Sequence, residues 1–293
     1  MTPEINPLPA GLYLVATPIG NARDITLRAL DILASADIVA AEDTRTARKL
    51  MGLHGVSLGN RPLIAYHDHS GAAARAGLIK LIGEGRSVAY VSEAGMPLIA
   101  DPGFALAREV SAAGYPLTCA PGASASLAAL SLSGLPSDRF LFAGFAPSAK
   151  GARRKWLLEI LEIPATLIVF ESAKRINRIL DELCKIEGEK REVAVCRELT
   201  KKFEEVIRGS LVEVREKLSE RRLKGEIVLV IGRSSGQTSQ IEMEAALKQA
   251  MQSMSVKDAA AHVAEACNLP RRKVYQAALG MQSSPEPEKG DTP

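Results

Sequence analysis

Short apolar runs alternate with longer amphipathic stretches along most of the chain, and this alternation constrains the fold more than any other feature. Runs such as GLYLVATP (11–18), ADIVAAED (36–43), RSVAYVSEAG (86–95) and YPLTCAPG (115–122) are four to six apolar residues long and end in turn residues. Between them lie segments with apolar residues at helical spacing, such as Ile25, Leu30 and Leu33 within 24–35. A β-α-β-α rhythm of this kind implies a mostly parallel sheet with helices on both faces. Asp24 is the expected N-cap of the first helix.

A second series follows the first. DRFLFAGF (138–145), ATLIVFES (165–172), EVAVCREL (192–199), EEVIRGSL (204–211) and GEIVLVIG (225–232) read as strands separated by helical segments. The alternating polarity of 204–211 places it on an antiparallel side of its sheet. A polar linker is expected at 234–240, a purely helical piece at 241–280, and a disordered, Pro- and charge-rich tail at 281–293. The expected units are therefore 1–121 (α/β), 122–233 (α/β), 241–280 (helix-turn-helix-like) and the tail. The turn of that helical piece is expected at Asn268-Leu269-Pro270.

Composition narrows the function. Apolar residues at 46% and charged residues at 24% describe an ordinary soluble protein, expected in the cytoplasm, with 37 basic against 34 acidic side chains. Aromatic residues make up only 4%, too few for a single-strand binder built on stacked rings. No apolar run approaches the ~18 residues of a membrane span, and the start, MTPEINPLPAG, lacks the basic and apolar regions of a secretory signal. Cys119, Cys184, Cys196 and Cys267 are far apart and read as buried thiols rather than as disulfides or a zinc site.

In open α/β sheets ligands sit beyond the carboxyl ends of the strands. The residues found there are 18–21, Glu42-Asp43, Tyr66-His67-Asp68-His69, Ser92-Glu93-Ala94-Gly95, Pro121-Gly122-Ala123-Ser124, Glu171-Ser172 and Arg197-Glu198. Small residues among them let a ligand approach the backbone, and the carboxylates can accept hydrogen bonds from hydroxyl or amino groups. Neither G-x-G-x-x-G nor G-x-x-x-x-G-K-[ST] occurs, and Gly122-Ala-Ser124-Ala-Ser126 lacks the closing glycine of a nucleophile elbow. His67-x-His69 has no nearby third ligand, so no metal is expected. Seven basic residues against three acidic ones fall between 150 and 178, including Arg153, Arg154, Lys155, Lys174 and Arg175, and Arg271-Arg272-Lys273 form a second cluster. Both clusters suit an anionic partner.

The strand-end motifs carry a resemblance. LVATPIGNARDITLRALDILASADIVAAEDTRTARKL, YHDHS, VSEAGMPLIADPG, APGASA, LPSDRFLFAGFAP, TLIVFESAKRI, VCRELTKKFEEVIRG and GEIVLVIG occur in order. Over about 11–233 this closely resembles the small-subunit ribosomal RNA methyltransferases of the tetrapyrrole-methylase superfamily, and the helical piece resembles their C-terminal extension. The resemblance implies two α/β domains with S-adenosylmethionine in the cleft between them, and a homodimer. It implies transfer of a methyl group to the ribose 2′-oxygen of a cytidine of 16S rRNA, in the decoding region of the 30S subunit. Carried over by motif, cofactor contacts fall on Pro18, Ser92, Glu93, Ala94, Met96, Ser124, Ala125, Glu171, Glu226 and Ile227. Glu93 and Met96 stand where the family pattern has Asp and Thr, and Ala173-Lys174 stand where it has Pro-His.

A base for the hydroxyl proton is sought among Glu42, Asp43, His67 and Glu171. Arg45 and Arg48, three residues apart on a helix, share a face that suits backbone phosphate, as do the basic clusters above. Two other readings remain open at this point: the same fold acting on a tetrapyrrole or a protein side chain, and a non-catalytic RNA-binding or ribosome-assembly factor.

Overall fold

The computed structural model describes residues 3–67, 70–188, 190–233, 235–266 and 271–283. Strands β1 (Gly11–Val15), β2 (Ile38–Ala41), β3 (Leu63–Ala65), β4 (Ser87–Val91) and β5 (Leu117–Ala120) form one sheet in the order β3-β2-β4-β1-β5, with every neighbouring pair parallel. The central strands β2 and β4 are buried along their whole length, as a sheet covered on both faces requires. Helices α1 (Leu27–Ser35) and α2 (Thr44–Leu53) cover one face, packing Leu33 and Met51 on Val39 and Val91. Helices α3 (Gly71–Gly83) and α4 (Phe104–Ala112) cover the other, packing Ile82 and Leu106 on Ile38 and Val88.

The N-cap of α1 is Thr26 and not Asp24. The Thr26 hydroxyl accepts from Ala29 N at 3.1 Å, while Asp24 N donates to Asn21 O in the preceding turn. Asp43 caps α2 through Arg45 N and Thr46 N.

The second sheet is less regular than its rhythm suggests. Its elements are α5 (Ala125–Ser133), β6 (Phe140–Phe145), α6 (Lys150–Leu161), β7 (Thr166–Ser172), α7 (Ile176–Glu187), β8 (Glu192–Arg197), β9 (Glu205–Ser210), α8 (Leu211–Ser219) and β10 (Glu226–Ile231). The strand order is β6-β7-β10-β8-β9, and only β6 and β7 are parallel. The β7-α7-β8 crossover leaves a gap one strand wide, and β10 enters it antiparallel to both neighbours. The β8–β9 hairpin and the α8 crossover, with its Ser210/Glu213 capping box, turn the chain round to do so. Helices α6, α7 and α8 cover one face around Leu157, Leu180 and Val214. On the other face α5 contributes Ala129 and Leu130, and Ile19 joins them from the first unit. The two α/β units thus share a core cluster.

The helical extension contains α9 (Ser235–Ala250), α10 (Val256–Ala266) and α11 (Arg271–Ser283), packed around Met243, Leu247, Val263 and Val274. Most of the expected linker is therefore helix, since α9 begins at Ser235, and α11 continues into the first residues of the expected tail. The remainder of that tail, the 268–270 turn, Cys267, Asp68 and His69 lie outside the described residues. Among the described residues no helix is long and apolar enough to cross a membrane.

Candidate active site

The ends of β1 and β4 are adjacent in the first sheet, and their loops are joined by a two-residue bridge. Thr17 N donates to Gly95 O at 2.9 Å and Gly95 N to Thr17 O at 3.0 Å. Gly95 has φ of +82°, and a Cβ there would lie 3.3 Å from Ile19 Cγ2, so the turn requires glycine. Beyond it, Leu98 and Ala100 also hold left-handed backbone, at φ of 71° and 60°. Non-glycine residues rarely adopt this conformation unless the surroundings impose it, and such positions concentrate at functional sites.

This loop forms one side of a cavity of about 380 Å³, within the usual range for a small-molecule site. Ala94, Gly95, Met96, Ile99, Ala100 and Asp101 line it from the first unit. Ser124, Ala125 and Ser126 at the start of α5, Glu171, Ser172 and Arg175 after β7, and Gly225–Val228 along β10 line it from the second. Phe145 and Phe170 add an aromatic surface, with ring centroids 5.4 Å apart in an edge-to-face arrangement. Ser124 Oγ and Ser126 Oγ bond each other at 2.9 Å, so neither caps α5 by a side-chain bond to its first turn.

Glu171 is the most constrained polar group. Its side chain is fully buried; Oε1 accepts from Ser172 N at 2.7 Å and from Arg175 Nε at 2.6 Å. Its other oxygen, Oε2, is buried without a hydrogen-bond partner. An unsatisfied buried carboxylate oxygen is costly, about 1–3 kcal/mol or more for a charged group, unless a ligand completes it.

A second carboxylate in the cavity was not among the sequence candidates. Burial pushes the Asp101 carboxyl up to about 6, with the negative charges of Glu42 and Glu93 adding to the effect and a Ser92 hydrogen bond opposing it. Its position follows from folding that no spacing rule reveals. The signal in the sequence was the acid in ADPG, at the end of a loop whose strain only the backbone shows.

The sequence candidates divide clearly. Ala94, Met96, Ser124, Ala125, Glu171, Glu226 and Ile227 line the cavity; Pro18, Ser92 and Glu93 do not. Ser92 lies behind the loop, buried, and Glu93 N donates to Glu42 Oε2 at 3.1 Å. Of the four candidate bases only Glu171 reaches the cavity; Glu42, Asp43 and His67 lie outside its lining. Asp43 is committed to the α2 cap, and its hydrogen bonds to Arg45 hold its carboxyl down at about 2, which suits a cap and not a base.

The basic candidates divide as well. Arg153 is 5% exposed and makes a two-pronged bond to Glu182, Nε–Oε2 at 2.9 Å and Nη2–Oε1 at 2.6 Å, so burial removes it from any set meeting an external anion. Arg175 faces the cavity and binds Glu171 and Ala146 O rather than forming part of an outer patch. Arg48, Arg154, Lys155, Lys174, Arg271 and Arg272 are exposed, as is Arg45, which pairs with Asp43. The Lys273 side chain lies outside the described residues. No group of three or more metal-ligating side chains converges among the described residues.

Comparison with known proteins sets the class first. A family model for tetrapyrrole (corrin/porphyrin) methylases matches residues 11–215, and one described as the RsmI C-terminal HTH domain matches residues 237–282. The fold is shared with a crystal structure of uroporphyrin-III C-methyltransferase from Thermus thermophilus complexed with S-adenyl homocysteine. That match has a TM-score of 0.52 at 20% identity and covers 76% of this chain and 97% of that one. Ribosomal RNA small subunit methyltransferase I of Mesorhizobium japonicum is 41% identical over 280 residues, 95% of this chain and 94% of that protein. The Pasteurella multocida protein of the same name is 41% identical over 280 residues, 94% of this chain and 99% of that protein. The chain belongs to the ribosomal RNA small subunit methyltransferase I family, within the tetrapyrrole methylases.

The methyl donor of this class is S-adenosylmethionine, and the cavity fits it. The unpartnered Glu171 Oε2 offers an acceptor for a hydroxyl or amino group, the start of α5 offers backbone donors, and Met96, Ile99 and Phe170 offer apolar contact.

Proposed function

We propose that this chain transfers a methyl group from S-adenosylmethionine to the ribose 2′-oxygen of a cytidine in 16S rRNA. The target lies in the decoding region, and the substrate is the assembled 30S subunit in the cytoplasm. The observation that carries the reading is the union of this cleft with a helical extension whose last helix begins with exposed Arg271 and Arg272. A small tetrapyrrole needs no such cationic unit, whereas a phosphate backbone does. The identity to the two named relatives, which extends across that extension, supports the same choice. The reading includes a homodimer, which sedimentation of the purified chain tests.

S-adenosylmethionine supplies an electrophilic methyl group on a sulfonium. The protein's part is to hold the accepting hydroxyl in line with that methyl, and positioning of this kind contributes up to ~7–11 kcal/mol. In this reading Glu171, Ser124, Ala125, Ala94, Met96, Glu226 and Ile227 hold the donor, while Pro18, Ser92 and Glu93 shape the loops behind it. Phe145 and Phe170 give the bound donor an apolar, aromatic wall. Arg45, Arg48, Arg154, Lys155, Lys174, Arg271, Arg272 and Lys273 meet phosphate outside the cleft.

The test is incubation with methyl-labelled S-adenosylmethionine and, in separate reactions, unmodified 30S subunits, naked 16S rRNA and bulk tRNA. Label on a ribose oxygen of a 16S cytidine, strongest with 30S subunits, is expected after digestion and mass spectrometry. Tight donor binding without label on any RNA would move the reading to a tetrapyrrole or protein substrate.

A further inference from the structure

We propose that Phe145 is the surface on which the base of the target nucleotide stacks, once that nucleotide has swung out of the subunit to bring its ribose to the donor methyl. The inference rests on the RNA-methylation reading above and names the side chain that holds the substrate at the cleft.

Phe145 faces the cavity because of an irregularity in β6. Phe142 pairs with Ile168 of β7, but the next residue of β7, Val169, pairs with Gly144 and not with Ala143. The extra residue is taken up at Gly144, where φ is +72°. In an unbroken strand Phe145 would share the face of Leu141 and Ala143, which packs beneath α6, α7 and α8. After the bulge it pairs with Phe170 and shares the face of Phe142 and Ile168.

The ring is then held in place. Phe170 makes edge-to-face contacts with both Phe142 and Phe145, at centroid distances of 4.8 Å and 5.4 Å. The next residue, Ala146, is buried, and its carbonyl accepts from Arg175 Nη2 at 3.1 Å. A bulge on one side and a buried, bonded residue on the other fix the platform.

This fixed ring is nevertheless 59% exposed. Among the large apolar side chains of the lining, Ile19, Ile227 and Val228 are buried, whereas Ile99 is 46% exposed and Phe145 more so. The first group marks the depth of the cavity and the second its mouth. The donor takes the depth, beside the unpartnered Glu171 Oε2, and leaves the outer part of the Phe145 ring to whatever arrives at the mouth.

What arrives is a nucleotide that has left its stack, since an enzyme with a closed cleft reaches its target by extruding it. An aromatic ring at the entrance replaces a stacking neighbour that the base gives up. An uncharged ring suits a base and not a phosphate, and it accepts any base. Phe145 therefore secures the nucleotide without reading its identity, and one ring is enough for one base.

The experiment compares wild type with F145A, F145L, F145W and F140A, each checked for a cooperative melt and for its sedimentation coefficient. Phe140 lies on the same strand, is 44% exposed and is outside the cavity lining, so F140A controls for loss of exposed aromatic surface. With methyl-labelled donor and unmodified 30S subunits, F145A is expected to lower kcat about 10–100-fold. Its affinity for the subunit, held by cations outside the cleft, and its calorimetric affinity for S-adenosylmethionine stay within about threefold of wild type. F145W restores kcat to within about threefold, F145L, apolar but not aromatic, does not, and F140A behaves as wild type. F145A, or F145L where F145A fails to fold, keeping kcat to within about threefold overturns the inference. So does a loss of donor affinity in step with kcat, which assigns the ring to the donor alone. A changed sedimentation coefficient overturns it as well, by assigning the ring to contact between copies of the chain, and so does an equal loss in F140A. A wild type that binds the donor but labels no RNA removes the substrate reading and this inference with it. That outcome differs from the specific failure, in which wild type and F145A label the subunit equally.

Discussion

Arg175 Nε donates to Glu171 Oε1 at 2.6 Å, and the same carboxylate keeps its second oxygen buried, without a hydrogen-bond partner, beside the cavity. The pair buries the carboxylate beside a guanidinium and leaves half of the carboxylate's accepting capacity to a ligand. Replacing Glu171 with Gln preserves the shape and removes the charge. Calorimetry of E171Q is expected to show S-adenosylmethionine binding about 10–100-fold weaker, equivalent to roughly 1.4–2.8 kcal/mol. An unchanged affinity would remove Glu171 from the donor site.

The two α/β units meet closely at Gly20. A Cβ on this residue would lie 2.7 Å from Thr200 Oγ1 and 3.0 Å from Leu199 O, and the neighbouring Asn21 N donates to Thr200 Oγ1 at 3.1 Å. Thr200 itself is held at φ of 63°. Leu199 O is backbone and cannot swing aside, so G20A forces the 198–204 loop away from the first unit. A loss of about 1–3 kcal/mol is expected, which lowers Tm by several degrees. Because the cleft lies between the same two units, donor affinity should fall with it; a melt like that of wild type would show the packing at Gly20 to be slack.

Periodicity is enough to find the strands of the first sheet and their parallel sense, because each strand is a plain apolar run followed by a helix that returns parallel, though not the order β3-β2-β4-β1-β5. It is not enough for the second. Nothing in EIVLVI distinguishes a strand placed beside β8 from one placed at an edge, and the gap left by the β7-α7-β8 crossover is a three-dimensional fact. The strand-end rule finds Glu171, Ser124 and Ala94 because they follow apolar runs directly. It misses Asp101, which reaches the cavity at the far end of a strained loop, and Phe145 and Phe170, whose apolar character looks like core. It also retains Arg153, since a charge count cannot see that Glu182 lies one helix away, on α7.

Helix α6 carries basic residues of two kinds, and substitution separates them. Arg153 and Glu182 form a buried, doubly bonded pair, so R153A leaves an uncompensated carboxylate in the interior. Urea denaturation should show a loss of about 3–5 kcal/mol. Arg154 and Lys155, exposed on the same helix, should behave in the opposite way. In the R154E/K155E variant stability stays within about 0.5 kcal/mol of wild type. Binding to 30S subunits weakens, and the slope of log affinity against log salt drops by about 1 for each phosphate no longer neutralised. A wild-type salt slope in that variant would place the RNA elsewhere on the surface.

Two aspartates should give the stability–pH profile opposite slopes in two windows. Hydrogen bonds from Arg45 hold Asp43 at about 2 against 3.8 for the free side chain. The folded state therefore favours its ionised form, and its contribution is present above 3.8 and lost as pH falls through 2. Asp101 is raised to about 6, chiefly by burial. Between 3.8 and 6 the folded chain binds more protons there than the unfolded chain, so this residue makes stability decline as pH rises through that window and stay lower above it. D101N removes the second slope and not the first; D43N, which keeps an oxygen to cap α2, removes the first and not the second. Denaturant melts of the three proteins from pH 2.5 to pH 7.5 test both. If the D101N-minus-wild-type stability difference does not grow between pH 4 and pH 6.5, then Asp101 is an ordinary solvated carboxylate and its neighbours Glu42 and Glu93 do not act on it.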